Sequence, residues 1–362
     1  MKFKDIAIKV INNAELKKAL MNYIKRGSPN PGHDTALVPY ENLIMFQATE
    51  CIQPIEESGY QVGEPWSGDI ENADILFVSK TLAYAPTEIC PRYISLPREE
   101  PDNYRIAVTD CIQKLTNCSS QNSDPDDVAH VIEFCNTRFK NAFLNNRKTL
   151  HIQITGRIKR VDYWGAMRKN TEALLLPNVK GILKRKYRGK PIEYAQKLME
   201  HVACTCVVPY KVVPHKVVPP KARKYLTAFN KGGTFQYCWD NFAEDLLSLF
   251  LSSSSASKIV VLVGDDVLQV FQKSTAFSAL QPKLTETSKP NTKGKTSNIY
   301  LYEYNGNMIV NVRNNQGSMG SFVNYFPQNS KIFPMLQTQF SAMFNAHLNT
   351  SQNAEKKRTN KK

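Results

Sequence analysis

No apolar run in the sequence approaches the roughly 18 residues that a membrane-spanning helix requires. The first residues, Met1 to Lys9, mix Lys, Asp and Ile without the apolar block of a secretory leader, so a soluble, cytoplasmic protein is expected. The eight cysteines (Cys51, Cys90, Cys111, Cys118, Cys135, Cys204, Cys206 and Cys238) are scattered, and no pair has the C-x-x-C spacing of zinc or redox sites. A disulfide scaffold and an iron–sulfur cluster both drop out, and reduced, mostly buried thiols are expected. No group of Asp, Glu or His has ligand spacing, so neither a metal nor a cofactor is expected. Acids are scarce as well: Asp and Glu total 32 against 47 Lys and Arg, a net charge of +15.

What is present is a core-forming composition, 42% hydrophobic and 22% charged, which sets disorder aside. The basic excess is concentrated. Residues 180–231 hold thirteen Lys or Arg against Glu193 and Glu200 alone, which supplies +11 of the +15. Such a patch suits a polyanion, because each neutralised phosphate releases condensed counterions; a merely solvated basic surface is the alternative. An anionic membrane fits less well, since no basic amphipathic helix carries Trp, Phe and Leu on its other face.

Periodicity outlines the elements. Apolar positions Ile6, Val10, Leu16, Leu20 and Ile24 predict a helix over 5–25. The run at 73–79 reads as a strand buried on both faces, and 202–208 and 258–264 read likewise. Helices are expected over 126–143, 162–175 and 237–251, and Gly264-Asp265-Asp266 opens another. Residues 285–296 read as a polar loop. Strands over 299–304 and 307–312, joined by Asn305-Gly306, form the strongest hairpin signal. Three V-V-P-x-K units over 207–221 read as an extended, polyproline-like arm, because proline removes a ladder donor in each. The three expected regions are a helical extension over 1–50, a main domain over 51–345 and a disordered basic tail over 346–362. Strands alternating with helices give an α/β fold, three layers about a mostly parallel sheet.

The stretch Glu64-Pro65-Trp66-Ser67-Gly68-Asp69, followed by Ala73 and the Ile75-Leu76-Phe77 strand, resembles the first motif of a bacterial branch of the uracil-DNA glycosylase superfamily. Further landmarks recur in the same order: Glu88 with Pro91, Arg138-Phe139, Tyr163-Trp164 with Glu172, Glu200 to Cys204, Cys238 with Phe242, and the strand over 259–264. The resemblance covers roughly 50–330. It implies a three-layer α/β fold, DNA as partner, and excision of a flipped base. Three chemical positions depart from the pattern: the first loop has Thr81 in place of Asn and Leu82 in place of Pro, the second loop, 311–319, lacks His-Pro, and the middle strand has Ala203 in place of His. These changes suit a larger or modified base, such as those by which a virus protects its DNA from host defence. The alternative is an inactive DNA-binding module.

Within that resemblance, Thr81 is expected to hold the attacking water and Glu88 to activate it, with His201 stabilising the departing base and Lys80 as an alternative amine nucleophile. Ser79, Tyr84, Arg313, Asn314 and Asn315 would line the base pocket, where donors must meet an anionic leaving group. Lys211, Lys216, Lys221, Arg223, Lys224, Gln316 and Ser318 would contact the DNA backbone. Each has a plainer reading. Thr81 could terminate its strand through a local hydrogen bond, Glu88 could cap a helix or pair with Lys80, and His201 could be a satisfied core histidine. Arg313 could be a phosphate contact alone.

Overall fold

A computed structural model describes residues 1–11, 65–83, 132, 136, 163–212, 233–253, 257–291, 294–312 and 322–359. In chain order these form α1 (Phe3–Ile11), β1 (Ile75–Ala83), α2 (Tyr163–Ala173), α3 (Pro177–Lys186), α4 (Pro191–Met199) and β2 (Val202–Val212). There follow α5 (Gly233–Cys238), a π-helical turn (Trp239–Ala243), α6 (Glu244–Ser252), β3 (Ile259–Val263) and α7 (Asp265–Lys273). The chain continues with β4 (Leu284–Thr287), β5 (Asn298–Tyr304), β6 (Asn307–Val312), α8 (Phe322–Tyr325) and α9 (Ile332–Thr359). Ile132 and Asn136 are helical, inside the helix expected over 126–143.

The six strands lie in the order β2-β1-β3-β6-β5-β4. β2, β1, β3 and β6 are mutually parallel, and β5 runs antiparallel to both β6 and β4. A mostly parallel sheet must be covered on both faces, and two apolar clusters do so. Leu76, Val78, Val260 and Leu262 point to one face, packed with α1, α6 and α7. Ile75, Phe77, Val261 and Val310 point to the other, packed with α2, α3, α4 and α9. The alternation of β1 and β3 between these faces explains their uninterrupted apolar runs. The chain is therefore an α/β protein with a six-stranded, mostly parallel sheet and helices on both sides. No helix among the described residues is long and apolar enough to cross a membrane.

Three expectations change. The arm over 207–221 is strand as far as Val212: β2 pairs with β1 from Ile75↔Val202 to Ala83↔Val212, with a register shift between Thr81 and Ala83. Pro209 is tolerated because β2 is an edge strand. Lys211 thus belongs to the sheet backbone, whereas Lys216, Lys221, Arg223 and Lys224 lie outside the described residues. Within the polar stretch 285–296, Thr285, Glu286 and Thr287 belong to edge strand β4; only one of its faces is half-buried, so few apolar residues marked it. Finally, residues 346–359 continue α9 instead of forming a disordered tail. Ser330 caps that helix through Phe333 N, and Glu286 of β4 accepts from Ile332 N at its positive end. Beyond the apolar positions Ile332, Leu336, Phe340 and Phe344, Ala354, Glu355, Lys356, Lys357 and Arg358 are strong helix formers that can extend an existing helix.

The Pro65-Trp66-Ser67-Gly68-Asp69 motif has a structural task. Ser67 exchanges two backbone hydrogen bonds with Cys204, each 2.8 Å, on the edge of β2 left open by β1. That covers an otherwise unpaired strand edge. Trp66 is fully buried, and its Nε1 donates to Asn136 Oδ1 at 2.7 Å. Thr205 Oγ1 donates to Pro65 O at 2.7 Å, and Gly68 takes the positive φ of 92° that turns the chain toward β1.

The basic segment is partly neutralised within itself. Glu172 on α2 pairs with Arg168, Lys180 and Lys184, while Lys190 pairs with Glu193 and Lys197 with Glu200. Burial raises the Glu172 carboxyl, but hydrogen bonds and charge from Lys180 and Lys184 outweigh it and hold the group below the usual range. A depressed folded-state value stabilises the fold above the unfolded value of about 4.3 and is lost as pH falls through the folded one. Glu172→Gln is expected to cost about 1 kcal/mol at pH 7. The difference from wild type should shrink progressively as pH falls below about 4, as urea titrations at several pH values would show. Arg185, Lys186 and Arg188 remain as an exposed basic cluster at the end of α3.

Candidate functional site

The strand order changes direction at β1. From β1 the chain goes to β2 on one side, and β3 then lies on the other side of β1. In an open α/β sheet, ligands bind outside the carboxyl ends of strands that diverge in this way. Here those ends are Ser79-Lys80-Thr81 on β1 and Gly264-Asp265-Asp266 after β3.

Lys80 joins these two ends. Its Nζ forms an ion pair with Asp266 in the first turn of α7 and lies 5.6 Å from the centroid of the Phe235 ring. Asp265 and Asp266 suit the positive end of α7, and Lys80 balances the second of them. Gly264 reaches that helix with φ of 106°. Its N–H donates to Val312 O at 2.8 Å, tying the end of β3 to the end of β6. Ser79 is buried; its hydroxyl donates to Thr205 O at 3.4 Å and touches Cys206 Sγ at 3.4 Å. Ser79 therefore forms the floor of this edge and not its rim. Thr81 lies in β1, opposite Val208 and just before the register shift.

The structure brings Ser79, Lys80 and Thr81 to one edge and adds Asp266 and Phe235, which the sequence reading had not named. The Gly264-Asp265-Asp266 signal was visible as a helix start, but its pairing with Lys80 spans 186 residues. A Schiff-base nucleophile needs a free amine, and an ion-paired ammonium is a poor one; Lys80 is arranged to present charge. Tyr84, Glu88, Arg313, Asn314, Asn315, Gln316 and Ser318 lie outside the described residues, although Arg313 directly follows the end of β6.

His201 is placed differently. It immediately precedes β2, so the parallel register puts it beside Asp74 at the amino end of the sheet. Seven residues of strand separate that level from Thr81, a distance of roughly 20 Å. His201 is 3% exposed, and its Nδ1 lies 2.6 Å from Asp74 Oδ2. It packs on Phe344, with ring centroids 4.3 Å apart, and faces His347 at 4.9 Å. It cannot share a pocket with Thr81, so it is not placed to act as a catalytic partner of Thr81. Three residues from distant parts of the chain, Asp74, His201 and His347, do converge there, with ligand atoms all within 4.8 Å of one another. Linear spacing could not have revealed them.

Comparison with protein-family models, with curated proteins and with solved structures returns no match to this chain. The fold thus defines a class, an α/β protein with a six-stranded, mostly parallel sheet.

Proposed function

We propose that the protein is a DNA glycosylase that flips out a non-canonical or modified base and hydrolyses its N-glycosidic bond, leaving an abasic site. The observation that carries this reading is the polar edge at the carboxyl ends of β1 and β3, where Ser79-Lys80-Thr81 meets Asp266 and Phe235. The Pro65-Trp66-Ser67-Gly68-Asp69 motif leads into the strand that ends there, as its resemblance to the uracil-DNA glycosylase superfamily implies.

The chemistry assigns distinct tasks. Water must attack C1′ of the sugar while the bond to the base breaks and the base leaves with the electron pair. The Thr81 hydroxyl would hold that water, and Glu88 would take its proton. Arg313, Asn314 and Asn315 would meet the negative charge on the departing base. The Lys80 ammonium, positioned by Asp266, would add positive potential at the edge where a phosphate or the leaving base sits. The exposed Arg185, Lys186 and Arg188, with Lys211, Lys216 and Lys221 further along the chain, would bind the DNA backbone and carry the salt dependence.

The placement of His201 at the opposite end of the sheet favours a second reading, a DNA-binding module without turnover, because it removes one expected donor from the site. An abasic-site assay with purified protein separates the two. The panel holds plain, uracil-containing, hydroxymethylated and glucosylated duplexes. Abasic sites in one class of duplex support the glycosylase. Salt-sensitive binding to every duplex with no abasic product supports the module.

A further inference from the structure

We propose that Asp74, His201 and His347 form a binding site for one divalent transition-metal ion, of the zinc or cobalt type, at the amino end of the sheet. The donor set is one carboxylate and two imidazoles, which borderline metals favour. The spacing fits. Asp74 Oδ1 and His347 Nε2 lie 3.4 Å apart. Metal–ligand bonds of about 2.0–2.1 Å at tetrahedral angles place two ligands about 3.3 Å apart.

The frame is rigid where it matters. Asp74 N and Ile75 N both donate to His201 O, at 2.9 and 3.0 Å, and Ile259 N donates to Asp74 O at 2.9 Å. Asp74 and His201 are thereby fixed at the starts of adjacent strands. His347 comes from α9, one face of which carries Phe340, Phe344 and His347 toward His201. The two phenyl rings shield the inner side, whereas the His347 side chain is 49% exposed and leaves a path for an ion.

Charge agrees with this assignment. Buried Asp74 faces Lys258, whose Nζ donates to Ala73 O, and the two imidazoles. A metal ion would take over the neutralisation of Asp74. The ion would clamp α9 to the starts of β1 and β2, a structural task at the end of the sheet opposite Thr81.

The test uses the full chain without a histidine tag, stripped with chelator and titrated with Co²⁺ and then Zn²⁺. Wild type is expected to bind one Co²⁺ per chain with the visible absorption of a four-coordinate site, to release it to Zn²⁺, and to melt at a higher temperature when loaded. His347→Ala removes a half-exposed ligand and should keep the fold, yet weaken binding by about a hundredfold or more. Asp74→Asn should do the same at the carboxylate. No uptake by wild type would overturn the proposal, as would equal uptake by wild type and both variants.

Discussion

Phe77→Ala is expected to lower the stability of the fold by about 3–5 kcal/mol, a large part of the roughly 5–15 kcal/mol that holds a domain together. Phe77 has no solvent exposure and sits in β1 between Cys204 of β2 and Val261 of β3. Its ring belongs to the apolar cluster beneath α2, α4 and α9. Strand backbones on both sides cannot move inward to fill the space, so the lost burial is joined by a cavity. Phe77→Leu keeps most of the volume and should cost closer to 1 kcal/mol. Urea denaturation followed by fluorescence checks both, with midpoints that shift at an unchanged slope. A loss below about 1 kcal/mol for alanine would mean that this face of β1 is not the packed core described.

If the protein is the proposed glycosylase, Lys80→Ala is expected to slow base excision by about a hundredfold while changing stability by less than about 1 kcal/mol. The contrast follows from position. The Lys80 and Asp266 side chains are 27% and 49% exposed, so solvent screens their attraction and the pair contributes little to folding. In the proposed complex with DNA, the same ammonium would act in a drier setting on negative charge. Asp266→Asn should act in the same direction but less severely, since it leaves the ammonium in place without its tether. Single-turnover excision on the preferred duplex, with DNA affinity measured beside it, distinguishes a lost chemical contribution from weakened binding. Wild-type excision by Lys80→Ala would reduce the pair to a surface ion pair.

Much of the sheet was legible because its central strands are buried on both faces and announce themselves as apolar runs. The 73–79 and 258–264 runs became β1 and β3, and Asn305-Gly306 became a hairpin whose two turn residues take φ of 50° and 79°. Edges were harder. β4 is a polar strand with one half-buried face, and β2 hides a proline within a repeat that reads as an arm. The helix past Ala346 lacks the apolar stripe by which helices are recognised.

The site was half legible for a related reason. Ser79, Lys80 and Thr81 could be placed at a strand end because the run before them was clear. Which end of β2 carried His201 depends on parallel register with β1, and pairing across more than a hundred residues leaves no mark in local sequence. Asp74, His201 and His347 share the same obscurity, since only the folded sheet and α9 bring them together.

The proposal that the carboxyl edge of β1 performs base excision is tested most directly by counting abasic sites made by wild type and Thr81→Ala on the duplex panel, with no metal added. Wild type is expected to leave abasic sites in one class of modified duplex, and Thr81→Ala at least a hundredfold fewer at similar DNA affinity. Absence of abasic product from every duplex, or equal product from both proteins, would contradict it.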